Sequence, residues 1–219
     1  MGEAIGQTLA LALAVGLSPI PIIAVTLMLS TPRARSNGPA FLGGWILGLA
    51  ATGALVVLIA DGADASEQGA PATWVSVLKL VLGAVLIVVA LRQLRPGAEK
   101  REPAWMKSVD SYTTSRATGL GLALAALNPK NLLLVLAAGT SIAQTGAGAA
   151  AEAVALAIFV AIGTLGTGVP VAVYLALGER SEPILGRLKA WMAQHGSPIM
   201  AVIFLLIGAK LIGDGIGAL

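Results

Sequence analysis

The sequence predicts an all-α integral membrane protein: six transmembrane helices in two inverted three-helix repeats, with helices 1 and 4 broken by proline. Three observations carry that prediction. Hydrophobic residues make up 57% of the 219 positions and charged residues 11%, against about 25% charged in a soluble domain. The chain therefore has too few charges to cover a surface facing water. Apolar runs long enough to cross a bilayer, about 20 residues each, recur six times. Finally, prolines interrupt the first and fourth runs at matching places.

The spans read as 4–29, 39–60, 74–94, 117–140, 152–177 and 197–217. Between them lie segments rich in Gly, Pro, Ser and charge, which are turn signals. The whole chain is one transmembrane domain. Its first repeat covers about 4–94, a linker about 95–116, and its second repeat about 117–217. Span 1 has no Lys or Arg before its apolar core, so it lacks the positive flank of a secretory signal and reads as a retained helix.

Charge sets the orientation. Eleven of the fourteen basic residues fall in the loops after spans 1, 3 and 5: Arg33 and Arg35; Arg92, Arg95, Lys100, Arg101, Lys107 and Arg116; Arg180, Arg187 and Lys189. The loops of the other face carry Asp61, Asp64 and Glu67, with Glu152 at an edge. The positive-inside rule then places both termini outside the cytoplasm of a multi-pass plasma-membrane protein. The pI near 9.5 is accounted for by this topology, and no nucleic-acid partner is expected. The loop after span 3 also lies close enough to the membrane to meet anionic lipid heads. Trp74 and Trp191 fall at expected interfaces.

Span 1 contains Leu17-Ser18-Pro19-Ile20-Pro21, and span 4 contains Leu127-Asn128-Pro129-Lys130-Asn131. Onward from each break, Gly48 precedes Thr52-Gly53 in span 2, and Gly163 precedes Thr167-Gly168 in span 5. The same Gly-x3-Thr-Gly spacing thus follows both breaks. No comparable match emerges for spans 3 and 6. Units of three helices enter the membrane from opposite sides. Paired broken helices in such units point to a transporter site.

Proline lacks an N–H and clashes with the preceding turn, and it pushes the residue before it out of helical dihedrals. Each break therefore yields two half-helices, with the free N–H groups of the second half turned toward the membrane interior. The candidate substrate-binding residues are Ser18, Pro19, Pro21, Asn128, Pro129, Lys130 and Asn131. Lys130 is the costliest of them, since a charge deep in a span must pair, line water or lose its proton. Two roles stay open for it: binding an anionic group, or stapling helices through carbonyls freed by a break. Gly48, Thr52, Gly53, Gly163, Thr167 and Gly168 are candidate gating or close-packing positions. Lys79 is expected to snorkel at the outer end of span 3, Lys210 and Asp214 to pair at i,i+4, and His195 to be solvated.

Several chemistries lose support. The spans hold no deep acid, histidine or cysteine for a metal, and the chain has no cysteine for thiol redox work. It has no Walker motif, and Ser18 has no histidine partner within a span. No enzyme activity and no cofactor are expected.

Six spans, the stretch "GLSPIPIIAVTLMLSTPRA" and the opening "NPKN" of the second half resemble the LysE superfamily of small exporters. Within it the resemblance is closest to the actinobacterial GAP/Sap lipid-addressing proteins. The resemblance covers essentially the whole chain. It implies a two-repeat exporter driven by an ion gradient, with membrane lipids around it and a lipid or other small molecule as substrate. A glycolipid or another anionic or zwitterionic compound would be exported. It also leaves open an amino-acid-type exporter, and a non-transporting scaffold for envelope lipid-export machinery. With the small-residue faces it allows a homodimer. For the scaffold, Trp105, Met106, Val109 and Tyr112 of the loop after span 3 offer a docking or membrane-surface segment, or the loop is a plain linker.

Overall fold

Two short proline-containing stretches decide how the chain is divided into helices. α1 (Gly2–Gly16) stops just before Ser18, and α2 (Pro19–Leu29) starts on the proline itself, bent 48° from α1. The pattern recurs at Asn128, where α5 (Thr114–Ala126) gives way to α6 (Pro129–Ala143) at a bend of 60°. The residues ahead of the prolines share one backbone geometry, φ −58° and ψ 117° at Ser18, φ −68° and ψ 119° at Asn128. This is the extended region to which a following proline confines its neighbour.

The other helices are α3 (Ala34–Gly62), α4 (Thr73–Leu94), α7 (Ala149–Leu177) and α8 (Glu182–Gly217), with short 3₁₀ turns at Ala104–Ser111 and Gly178–Ser181. The computed structural model describes residues 2–67, 70–94 and 104–219. Arg95, Lys100 and Arg101, and the side chains of Glu67 and Lys107, lie outside the described residues. Apart from an antiparallel two-residue bridge of Ser66–Glu67 with Ala70–Pro71, the described chain is helical. Among the described residues, three helical lengths are long and apolar enough to cross a membrane: α3, α4, and the joined α7–α8 length of 69 residues. Counting each bent pair as one crossing gives up to five.

Close backbone approach holds the bundle together. A Cβ on Gly44 or Gly121 would overlap the carbonyl of Thr118 or Phe41, so α3 and α5 lie side by side and parallel. A Cβ on Gly166 would overlap the carbonyl of Gly16, which joins α7 to α1. The third close pair meets itself. A Cβ on Gly83 would stand 2.8 Å from the Gly208 oxygen and 2.8 Å from Ile212, and one on Gly208 2.8 Å from the Gly83 oxygen and 2.8 Å from Ile87. Ser76 and Leu80 lie against Gly215, so α4 and α8 run antiparallel. Small residues permit such approach where helices gain nothing from expelling water.

Two expectations change. Lys79 does not snorkel: it is 3% exposed. It shares the buried stripe of α4 with Val75, Ser76, Leu82, Gly83, Leu86 and Ala90. That helical spacing puts Lys79 on the side of α4 where Ser76 and Gly83 pack against α8. The described part of the loop after span 3 is also no plain linker. Val109 is buried in a cluster with Met28, Leu29, Phe41 and Leu185, and Asn37 Nδ2 donates to the Tyr112 carbonyl at 2.9 Å. The segment caps one end of the bundle. The Lys210–Asp214 pair forms at 2.5 Å, and His195 is exposed and stacked on Trp191.

Candidate functional site

The two breaks meet. Ser18 Oγ donates to Asn131 Oδ1 at 2.8 Å, across 113 residues of chain, and reaches the Ala14 carbonyl at 3.4 Å. Asn131 is fully buried (0% exposed). Its Nδ2 donates to the Leu124 carbonyl at 2.9 Å, an oxygen that an unbroken helix would pair with the N–H of residue 128. One asparagine thus partners the hydroxyl of one break and a carbonyl released by the other. Asn128 caps its own half-helix by accepting the Lys130 N–H at 3.1 Å, as asparagine does at helix starts. Ser18 makes no such cap to α2; its hydroxyl donates to Asn131.

Beside this junction lies a cavity of about 100 Å³. Ser18, Pro19, Ile20 and Pro21 come from the first break, Asn128 and Lys130 from the second, Gln93 from the last turn of α4, and Ser197 and Met200 from α8. Lys130 Nζ donates to Gln93 Oε1 at 2.9 Å, not to a backbone carbonyl. Since Lys130 offers only donors, it selects the oxygen end of the amide. The Gln93 Nε2 is buried and has no partner among the described residues.

Five of the seven expected binding residues therefore line one cavity: Ser18, Pro19, Pro21, Asn128 and Lys130. Asn131 lies beneath as the bridge, and Pro129 is exposed outside the lining. Gln93 and Ser197 were not anticipated. Gln93 reads as part of a basic helix end, Arg92-Gln93-Leu94, and only the packing of α4 beside α6 brings it to Lys130.

The glycine and threonine candidates do not line this cavity, and Gly48, Gly53 and Gly163 sit at close helix contacts. Gly48 seats against Leu122 and Ala125 of α5, and Gly163 against Val15 of α1 and Leu49. Gly53 and Gly139 lie between α3 and its neighbours, while Gly168 meets only ordinary contacts. Thr167 Oγ1 bonds the Thr164 carbonyl in its own helix at 3.1 Å, and Thr52 is half-buried in α3. Trp45 Nε1 donates to the Gly163 carbonyl at 3.3 Å, tying α3 to α7. A second, open groove of about 520 Å³ runs between Ile46 and Ala50 of α3 and Ala153–Thr164 of α7, with an almost wholly apolar wall.

A bundle too apolar for water, with its polar breaks paired inside, defines a helical membrane protein. No curated protein and no solved structure matches the chain. The family model described as Sap, sulfolipid-1-addressing protein, matches residues 8–217, and the chain belongs to that family.

Proposed function

We propose that the protein is a secondary transporter of the plasma membrane that exports a lipid or glycolipid, holding its anionic headgroup in the cavity at the two proline breaks. The observation that carries this reading is the junction itself: the Ser18–Asn131 bond places both broken helices beside one cavity, with the Lys130 ammonium in its wall. The family's printed description, with its sulfolipid, supports a lipid cargo. No chemical step is assigned, so the protein is read as a carrier and not as an enzyme.

The reading takes six crossings, built as two inverted repeats on the LysE-superfamily plan, with both termini outside. Two features support it. The joined α7–α8 length of 69 residues turns at Gly178, with φ 57°, and exceeds the roughly 40 residues that two crossings need. The mutual Gly83–Gly208 contact is the one expected on an axis relating the two halves. Alternating access then follows from one unit rocking against the other around the shared junction.

The test is transport of a fluorescent anionic glycolipid in proteoliposomes. Lys130→Met is expected to abolish it while the purified protein keeps its elution profile and melting temperature in detergent. Wild-type transport by that variant removes Lys130 from the mechanism. Movement of amino acids instead of lipid would reassign the cargo. Protein that moves nothing alone, yet co-purifies with a larger lipid exporter, would be a scaffold.

A further inference from the structure

We infer that the open groove between α3 and α7 holds one acyl chain of a phospholipid with an amine headgroup, a resident lipid separate from any cargo at the two breaks.

The groove has the dimensions of a single hydrocarbon chain. Its wall on α7 recurs at Ala153, Leu156, Ala157, Val160, Ala161 and Thr164, the i, i+3, i+4 spacing of one helical stripe. Ile46 and Ala50 of α3 form the facing wall, and no charged residue lines either side. Ala153, Ala157 and Ala161, one turn apart, are exposed, and their small side chains leave the hollow. Eleven residues from Ala153 to Thr164 span about 16 Å at 1.5 Å per residue. Spread over a length of about 16 Å, the volume of about 520 Å³ gives a mean cross-section of about 30 Å². A helix with its side chains is about 10–12 Å across, or about 80–110 Å² in section. A helix from a second copy is therefore too thick to enter, whereas an acyl chain is not. The length agrees as well. The hydrocarbon core of a bilayer is about 30 Å thick, so the groove is as deep as one leaflet.

The end of the groove at Ala153 carries the headgroup chemistry. Glu152 precedes Ala153 and stands one turn from Leu156. On α3, steps of seven and four residues from Ala50 reach Val57 and Asp61, on the same face of the helix. Val57 and Ala60 share a packed cluster with Ala155, so these ends of α3 and α7 are neighbours. The Glu152 and Asp61 carboxyls are close enough to hydrogen-bond. Residues 63–72, which join α3 to α4, and residues 144–148, which join α6 to α7, contain no Lys or Arg. An anionic headgroup would meet two acids there, and a cation beside them is favoured. A primary ammonium brings three N–H donors, enough to bridge both carboxyls, whereas a choline headgroup has no N–H. This preference is opposite in sign to that of the Lys130 ammonium, which marks the groove as a second site.

The experiment reconstitutes the full chain in phosphatidylcholine nanodiscs doped with phosphatidylethanolamine or phosphatidylglycerol and counts retained lipid by native mass spectrometry. One phosphatidylethanolamine per chain is expected, retained at least fivefold over phosphatidylglycerol. Ala157→Phe fills the groove from an exposed position and is expected to lower that retention fivefold or more. Ala161→Leu does the same where the first variant fails to fold. Asp61→Asn combined with Glu152→Gln is expected to keep a bound lipid while bringing the two lipids within twofold of each other. Lys130→Met is expected to retain phosphatidylethanolamine as wild type does. Its loss in that variant would put the lipid at the breaks and overturn the inference. Equal retention of both lipids by the wild type, or unaltered retention in both filled variants, overturns it too. A filled variant that changes oligomeric state without losing lipid would assign the groove to a second copy, with the same consequence. Wild-type protein that retains phosphatidylethanolamine but moves no lipid in proteoliposomes ends the transporter reading alone and leaves this site standing.

Discussion

Asn131 has both ends of its amide engaged, with Ser18 on one side and the Leu124 carbonyl on the other. Asn131→Ala leaves both groups buried without that partner. A lost partner costs about 1–3 kcal/mol in soluble proteins, and side-chain bonds inside membranes average nearer 0.6 kcal/mol. The expected destabilisation is therefore about 1–3 kcal/mol, read as a lower midpoint in denaturant titration of the detergent-solubilised protein. A wild-type midpoint would mean that the junction is not a structural bond. The two breaks were legible in the sequence because proline acts on its own neighbours: an absent N–H and a confined preceding residue need no tertiary information. What Lys130 touches was not legible. Its partner lies 37 residues earlier, at the end of another helix, and a glutamine beside an arginine carries no mark of burial.

Among the helices, neighbouring glycines separate packing from propensity. Gly43 and Gly44 occupy consecutive positions of α3. A Cβ on Gly43 meets open space, whereas one on Gly44 would run into the Thr118 backbone of α5. Gly43→Ala is expected to be neutral or to stabilise, by up to about 1 kcal/mol, through helix propensity. Gly44→Ala is expected to destabilise by about 1–3 kcal/mol, the usual scale of overpacking. Paired melting curves check both, and equal shifts would contradict the α3–α5 contact. The Gly-x3-Thr-Gly recurrence was visible because its spacing is short. A further recurrence was not. Leu80, Gly83, Ala84, Leu86 and Ile87 match Leu205, Gly208, Ala209, Leu211 and Ile212. The offset between the halves is 110 at the prolines, 115 at Gly48 and Gly163, and 125 here. Loops of unequal length shift the register, so only the mutual contact of α4 and α8 exposes the match. Lys79 carries the same lesson. Its spacing from Ser76 and Gly83 places it on the packed stripe, but which stripe of an almost uniformly apolar helix faces a neighbour is decided by the neighbour.

For the molecule as a whole, the orientation is directly testable because the chain has no cysteine of its own. Glu3→Cys and Arg187→Cys place single thiols at exposed positions near opposite ends of the bundle. In intact cells a membrane-impermeant maleimide is expected to label the first and not the second, and the reverse pattern would invert the topology. The bond between the breaks also has a consequence for how the protein is made. Ser18 leaves the ribosome 113 residues before Asn131. At about 5–20 residues per second, the first broken helix waits roughly 6–23 seconds for its partner, and its hydroxyl must meanwhile find water or another acceptor. A nascent chain released before residue 131 would carry that exposed break, and membrane quality control could distinguish it from the finished protein by this feature.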